Sequence, residues 1–380
     1  MSNNNNPPPP KPTLSSLPPS WHLTPEQQQE IFTTTILPLE ITPFLPSPPS
    51  SSPPKKPTAI ILLGQTGSGK TRLAPLLSSS LSSLSHSQNG ICHLIADTYK
   101  THHPFYTPCL TSHPHLASAL ASPSARVWLS MACTAAAKSQ IPVLVESACR
   151  HPSDFSEIVE VFSQAAYTVK VVILAVPNVL SRLGVLVRYH NRLPESMSRG
   201  LPLRLTPRGV HDESYAGCLE GARWVDDHPD NVNSVVVVRR DGSVGYENSS
   251  DENGKWKKTE PKAREGLEGQ RGRGLTSAER ELAEEDLTVL EGLVAENKVD
   301  KATVEELRGL LSELGGVQQQ SGGETLPQLD MDSFVRGTPS QQEQQQQQQT
   351  KQKSTQEILD EIEFDDDDDI NFYNTCSCCR

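Results

Sequence analysis

The 380-residue chain predicts an α/β protein with a doubly wound parallel sheet of about five strands flanked by helices, a C-terminal helical hairpin and disordered tails. Three observations predict it. Five short runs, 59–63, 92–96, 142–145, 169–176 and 234–239, are rich in Ile, Val or Leu without polar alternation, as strands buried on both faces should be. Gaps of about 25 to 60 residues separate them, enough for a crossover helix each. Between the first run and the helical stretch after it lies a glycine-rich loop, so strand, loop and helix occur in the order that gathers backbone N–H groups at a helix start.

The elements follow in order. Of the 31 prolines, 16 fall within residues 1–57, a density that deprives a packed core of backbone donors. Residues 1–20 therefore read as a disordered Pro/Asn-rich segment. Residues 21–45 hold one helix, from Thr24 to about Leu37, that packs on the domain after it. Thr24 caps it, Pro25 suits its first position, and Ile31, Phe32, Ile36 and Leu37 form its apolar stripe. Residues 46–57 are a Pro/Ser linker and 58–248 the main domain, in which Asp241-Gly242 turns a hairpin into a short edge strand. Residues 249–275, Gly-rich and apolar-poor, read as a linker. Over 276–316 a capping box (Thr276, Glu279) opens a helix with Leu282, Leu287, Leu290, Leu293 and Val294 on its apolar side. A second helix carries Val304, Leu307, Leu311 and Leu314 and stops at Gly315-Gly316. Residues 317–380, Gln-rich and ending in Asp365 to Asp369, read as a disordered tail.

The net charge of −12 is unevenly spread: residues 1–240 carry 19 Lys+Arg against 15 Asp+Glu, and residues 241–380 carry 15 against 31. An acidic chain without a basic stripe argues against nucleic acid as a partner, while the slightly basic first part suits a small phosphate-bearing ligand. No run approaches the roughly 18 apolar residues of a membrane span, and the start has neither a basic nor an apolar leader region. The expectation is a soluble cytoplasmic protein that makes no membrane contact. Cys92, Cys109, Cys133, Cys149 and Cys218 lack metal-ligand spacing and read as buried reduced thiols. Cys376, Cys378 and Cys379 crowd the end without forming a prenylation box.

The chemistry is carried by Gly64-Gln65-Thr66-Gly67-Ser68-Gly69-Lys70-Thr71, a full match to the phosphate-binding loop G-x-x-x-x-G-K-[ST]. Glycines let the backbone curl around an anion, Lys70 reaches the β- and γ-phosphates, and the Thr71 hydroxyl holds Mg²⁺. The second strand ends at Asp97, the third at Glu146, and ligands of parallel sheets sit at the carboxyl ends of strands. Asp97 there suits a general base for an attacking hydroxyl, or a capping or Mg²⁺-bridging carboxylate. Glu146 suits an acceptor contact, an orienter of Mg²⁺-bound water, or an ion pair with Arg150. Of the arginines after the fourth strand, Arg182, Arg188, Arg192, Arg199, Arg204 and Arg208, one or two suit a clamp on the transferring phosphoryl group.

From about Trp21 to Asn248 these residues resemble the zeta-toxin family of P-loop kinases. The loop has the family form, and Asp97-Thr98-Tyr99-Lys100 followed by His103-Pro104 looks like the family's catalytic-aspartate segment. Ala175-Val176-Pro177 with Leu183-Gly184 and Arg188-Tyr189 is similar to its fourth strand and next helix, and Arg204-Leu205-Thr206-Pro207 with His211-Asp212 resembles its second arginine element. The resemblance implies a P-loop NTPase-type fold and transfer of the γ-phosphate of ATP, with Mg²⁺, to a sugar hydroxyl of a UDP-N-acetylhexosamine. It makes Asp97 the general base, Lys70 and Thr71 the phosphate and Mg²⁺ ligands, and Arg188 and Arg204 the γ-phosphate clamp. Glu146, Arg150, Lys100 and His103 become acceptor contacts.

One segment departs from the family. Its acceptor element commonly reads Glu-Gly-Thr-x-Arg, and here reads Glu146-Ser147-Ala148-Cys149-Arg150, so a hydroxyl and a glycine are gone. Two other readings stand beside the kinase: an ATP hydrolase or switch, and a nucleotide-sensing interaction protein with a decayed kinase site that recruits protein partners through its Gln-rich and acidic tail.

Overall fold

The computed structural model describes residues 13–45, 56–85, 90–198, 205–251, 253–316 and 326–336. Arg204, Arg199, the terminal cysteines, the aspartate run, most of the Pro/Asn-rich start and most of the Gln-rich tail lie outside these residues.

Helix α1 (Pro25–Ile31) opens on a reciprocal cap: the Thr24 hydroxyl accepts from the Gln27 amide, and the Gln27 side chain accepts from the Thr24 amide at 2.9 Å. A wider turn over Phe32–Ile36 leads into α2 (Leu37–Glu40). Trp128 Nε1 donates to Gln28 O at 2.9 Å, and Phe32, Ile36 and Ile41 sink into the main core. Of the expected stripe, Phe32 and Ile36 are buried, while Ile31 and Leu37 are partly buried against the same core.

Six strands follow: β1 (Thr58–Leu63), β2 (Cys92–Ile95), β3 (Val143–Ser147), β4 (Thr168–Leu174), β5 (Ser234–Val238) and β6 (Val244–Ser249). Their order is β2-β3-β1-β4-β5-β6, parallel except for the hairpin strand β6. Leu62 pairs with Glu146 and Ile95 also pairs with Glu146, so the carboxyl ends of β1, β2 and β3 lie level. Successive strand residues face opposite layers, as period 2 requires. Ala59, Ile61, Leu63, Val143, Val145, Val171 and Val237 face one layer; Ile60, Leu62, Leu144, Val172, Val236 and Val238 face the other.

The helices between and after the strands are α3 (Lys70–Ser85), α4 (Ala96–Tyr99), α5 (Tyr106–Ser112), α6 (Pro114–Lys138), α7 (Pro152–Gln164), α8 (Asn178–Ser198), α9 (Arg208–Asp227), α10 (Ala263–Gly272), α11 (Ser277–Ala295), α12 (Lys301–Gly316) and α13 (Met331–Arg336). Helices α6, α7, α9 and α10 cover the first layer, and α3 with α13 covers the second. The hairpin α11–α12 docks on α8 through Leu287, Leu290, Leu307 and Leu311 against Val179, Leu180 and Leu183. Among the described residues no helix is long and apolar enough to cross a membrane, and the five cysteines read as reduced thiols are buried and free.

The segment read as a linker and the segment read as a disordered tail each contain a helix. Within 249–275, α10 buries Ala263, Leu267 and Arg271, one face at four-residue spacing. Few apolar residues mark it, because an arginine fills the third place and Gly266 lies against Tyr246, where a Cβ would come within 2.7 Å of the Tyr246 Cβ. Within the supposed tail, residues 326–336 add to the fold. Pro327 O accepts from Val244 N at 2.8 Å, Leu329 N donates to Gly242 O at 3.0 Å, and Val335 is buried. A segment this short folds only because the hairpin edge and the second layer offer it partners.

Lys170 holds this segment from inside β4. It is 3% exposed, its ammonium donates to Phe334 O at 2.6 Å and lies 5.3 Å from the Phe334 ring centre. Burial pushes it down from 10.5 to about 8. Between those values the unfolded chain binds more protons than the folded one, so stability rises with pH across that window. The rise is on the order of 3 kcal/mol. Lys170→Met is expected to flatten that slope in unfolding curves taken between pH 8 and 10.5; an unchanged slope would show that the lysine is charged at no cost.

Candidate nucleotide and acceptor site

The loop between β1 and α3 is shaped from behind. Gln65 is fully buried; its Nε2 donates to Val176 O at 2.8 Å and its Oε1 accepts from Arg271 Nη2 at 2.8 Å. Arg271 also donates to Tyr215 O and stacks 3.9 Å from that ring. Gly67 (φ +81°) and Gly69 (φ +101°) take conformations that L-residues avoid. A Cβ on Gly67 would run into Ser181 O and come within 2.8 Å of Val185 Cγ2, whereas one on Gly69 would find its nearest neighbour at 3.5 Å.

A cleft of about 700 Å³ opens over the loop, within the usual range for ligand sites. Thr66, Gly67, Gly69, Lys70 and Thr71 line it, with His93, Asp97, Glu146 and Ala148 from the β2–β3 side and Gly184, Val187, Arg188, Asn191, Arg240, Leu282 and Asp286 from the other. Gly64, Gln65 and Ser68 stand behind the lining. A second groove, between Phe44 and Ser78 to Ser83 of α3, has no ionisable lining residue.

The sequence-predicted residues divide. Asp97, the second residue of α4 after β2, has an 82% exposed side chain that pairs with Lys100 Nζ at 2.7 Å. Lys100 also donates to Ser118 Oγ of α6 at 2.9 Å. It holds Asp97 rather than lining the cleft. His103 is 2% exposed, packed edge-on to Phe105 and Trp128 and outside the cleft lining. Its expected acceptor contact is replaced by core packing. Glu146 accepts from His93 Nε2 at 3.0 Å, which sets the imidazole tautomer, and Arg150 turns to Glu213 outside the lining. Of the six arginines, Arg188 lines the cleft, while Arg182 and Arg208 converge on Glu306 of α12, Arg182 in bidentate fashion at 2.9 and 3.1 Å. Those two lock the helical hairpin to α8 and α9.

Ala148, standing where the family commonly has threonine, lines the cleft. Its neighbour Cys149 adopts φ +47° with the thiol donating to Gly217 O at 3.2 Å. Gly217 gives the space, since a Cβ there would strike Cys149 O. The changed segment is therefore clamped to α9.

Electrostatics binds the cleft together. Burial pushes the Lys70 ammonium below the ordinary lysine value, and Arg188 adds to that, while Glu146 and Asp97 draw it back up. Lys70 Nζ donates to Gly64 O at 2.5 Å and Gln65 O at 3.3 Å. The Ser68 hydroxyl is buried without a hydrogen-bond partner. Lys70 and Thr71 in the lining, beside the left-handed turns at Gly67 and Gly69, fit a triphosphate. Among the described residues no group of three or more His, Cys, Asp or Glu could hold a metal alone. Mg²⁺ bound through Thr71, phosphate oxygens and water needs no such cage.

Sequence reasoning missed Arg240, although it follows β5 just as Asp97 follows β2. Its guanidinium donates to Gly67 O at 2.8 Å and Leu180 O at 3.3 Å. It also missed a buried relay: Ser181 Oγ lies 2.8 Å from His211 Nε2, and His211 Nδ1 3.0 Å from Asp212 Oδ1. The residue types match a nucleophilic triad, but Ser181 is fully buried, donates to Asn178 O at 3.0 Å and accepts from Gln65. It braces the loop.

Sheet order, loop and cleft define a P-loop nucleotide-binding protein of the kinase type. The family model for zeta toxin matches residues 47–251, and the chain belongs to the zeta toxin family. A solved structure from the PezAT chromosomal toxin–antitoxin system of Streptococcus pneumoniae is 17% identical, with a TM-score of 0.54 over 72% of this chain and 98% of that one. The AvrRxo1-ORF1:ORF2 complex is 13% identical, with a TM-score of 0.40 over 74% and 79%; its form with ATP scores 0.37 over 74% and 80% at the same identity. At these identities the PezAT likeness speaks to the fold. No curated protein matches the sequence.

Gly67→Ala and Gly69→Ala separate strain from collision. Gly69→Ala is expected to lower stability by about 1–2 kcal/mol, the cost of a left-handed conformation. Gly67→Ala, which adds a clash, is expected to cost about 3 kcal/mol or more. Denaturant unfolding compares them, and equal losses would mean that Ser181 does not wall in the loop.

Proposed function

We propose that the protein is an ATP-dependent kinase that transfers the γ-phosphate to a hydroxyl of a small acceptor, a nucleotide sugar of the UDP-N-acetylhexosamine kind. The observation that carries this reading is the sequence of groups along one cleft. Carboxylates lie at the β2 and β3 ends, the phosphate loop at β1, and an arginine of α8 across from it.

In this mechanism the loop amides and Lys70 hold the β- and γ-phosphates. Mg²⁺ at Thr71, when bound, neutralises charge on the phosphate oxygens. Asp97, oriented by Lys100, accepts the proton of the acceptor hydroxyl as its oxygen bonds to the γ-phosphorus. The bond to the β–γ bridging oxygen breaks and ADP leaves. Arg188 stabilises the charge on the phosphoryl group in flight, and Arg204 belongs to the same clamp by family resemblance. Such transfer needs positioning and charge neutralisation more than covalent help. Glu146, oriented by His93, faces the acceptor. Ala148 presents a methyl where a hydroxyl would bond the substrate, so the preferred acceptor is expected to differ from the family's in the group that hydroxyl would meet.

A screen of nucleotide sugars and nucleosides with Mg²⁺-ATP, read by mass for one added phosphoryl group, tests the reading. Asp97→Asn is expected to lose roughly 10²- to 10⁴-fold in turnover while ATP binding is kept. Wild-type turnover in that variant would remove Asp97 as the base. ATP consumption that no acceptor stimulates would favour a hydrolase or switch.

A further inference from the structure

Strand order separates the two ends of the cleft. The phosphate loop follows β1, in the middle of the sheet; β3 and β2 lie to one side, β4 and β5 to the other. Asp97 and Glu146 occupy the first side. A nucleotide whose phosphates sit on the loop with the acceptor towards β2 must therefore extend its base towards β4 and β5. The lining there is Gly184, Val187, Arg240, Leu282 and Asp286.

Two of these residues come from α11, which lies beyond the matched residues 47–251. Leu282 and Asp286 are four positions apart, hence on one face. The adjoining face, Ala283, Leu287 and Leu290, is buried against α8. Leu282 was expected in that apolar stripe. Instead it is 44% exposed at the cleft, where a planar ligand would cover it. Asp286 carries no hydrogen bond or ion pair among the described residues, and burial holds its carboxyl above the ordinary value while Arg240 draws it down. Arg240, fixed by loop and α8 carbonyls, joins the phosphate end to this one.

We infer that α11 supplies the nucleobase subsite: the purine of ATP lies between Val187 and Leu282, and Asp286 accepts a hydrogen bond from its exocyclic amino group. The chemistry matches, since a base offers two apolar faces and an N–H edge, and an exposed leucine beside a free carboxylate offers their complements. The inference rests on the kinase reading for the direction in which the nucleotide lies. It also makes the C-terminal hairpin part of the site, held there by Glu306 with Arg182 and Arg208.

Direct binding of three ligands to the full chain tests it: ATP, purine riboside triphosphate, which lacks the amino group, and inorganic tripolyphosphate, which lacks the nucleoside. Asp286→Ala is expected to weaken ATP about tenfold and to leave purine riboside triphosphate and tripolyphosphate unchanged. Leu282→Ala is expected to weaken both nucleotides about fivefold and spare tripolyphosphate, which also shows that the variants are folded. Equal losses for ATP and purine riboside triphosphate in Asp286→Ala, or no loss in either variant, overturn the subsite while the phosphate site stands. If the wild type binds neither ATP nor tripolyphosphate, the kinase reading falls and the subsite with it.

Discussion

The buried contacts behind the phosphate loop are the constraint on which the rest of the molecule depends. A loop that wraps an anion aims its amides inward and strains its glycines, so something must hold its outer side. Here Gln65 does so from a fully buried position, bonded to Val176 just past β4 and to Arg271 of α10, while Ser181 O leaves no room for a side chain at Gly67. A buried amide that loses one of those partners costs the desolvation of what remains. The chain meets that demand with residues more than a hundred positions away.

The same economy of attachment explains the far end. Glu306 collects Arg182 from α8 and Arg208 from α9, and apolar residues of α11 and α12 complete the contact. Arginines that could have served as phosphate ligands are thereby committed to architecture. Of the arginines after β4 that are described, Arg188 is the one that lines the cleft, beside Arg72 of α3 and Arg240 after β5. Which guanidinium faces a ligand is decided by which carboxylates lie nearby, and those arrive from a different part of the sequence.

The parallel strands, the hairpin at Asp241-Gly242, the capped N-terminal helix and the phosphate loop were legible because each is local: apolar runs, capping residues and glycine spacing act within a few positions. Asp97 and Glu146 were legible through a rule of position at strand ends. The fates of Lys100, His103 and Arg150 were not. Their types suit an acceptor, but packing on Trp128, Ser118 and Glu213 turns them elsewhere. Helix α10 escaped notice because its buried face is an alanine, a leucine and an arginine, and residues 326–336 because eleven positions in a Gln-rich context carry no signal until an edge accepts them.

By itself the sequence determined the parallel α/β class, the phosphate loop and the carboxylates at neighbouring strand ends, since side-chain periodicity and glycine placement are properties of adjacent residues. Only the tertiary structure decided that Gln65, Ser181 and Arg271 form one brace, that Leu282 leaves its apolar stripe for the cleft, and that Arg182 serves Glu306. Those outcomes turn on distances between residues far apart in the chain, where burial and the choice of partner outweigh the nature of any single side chain.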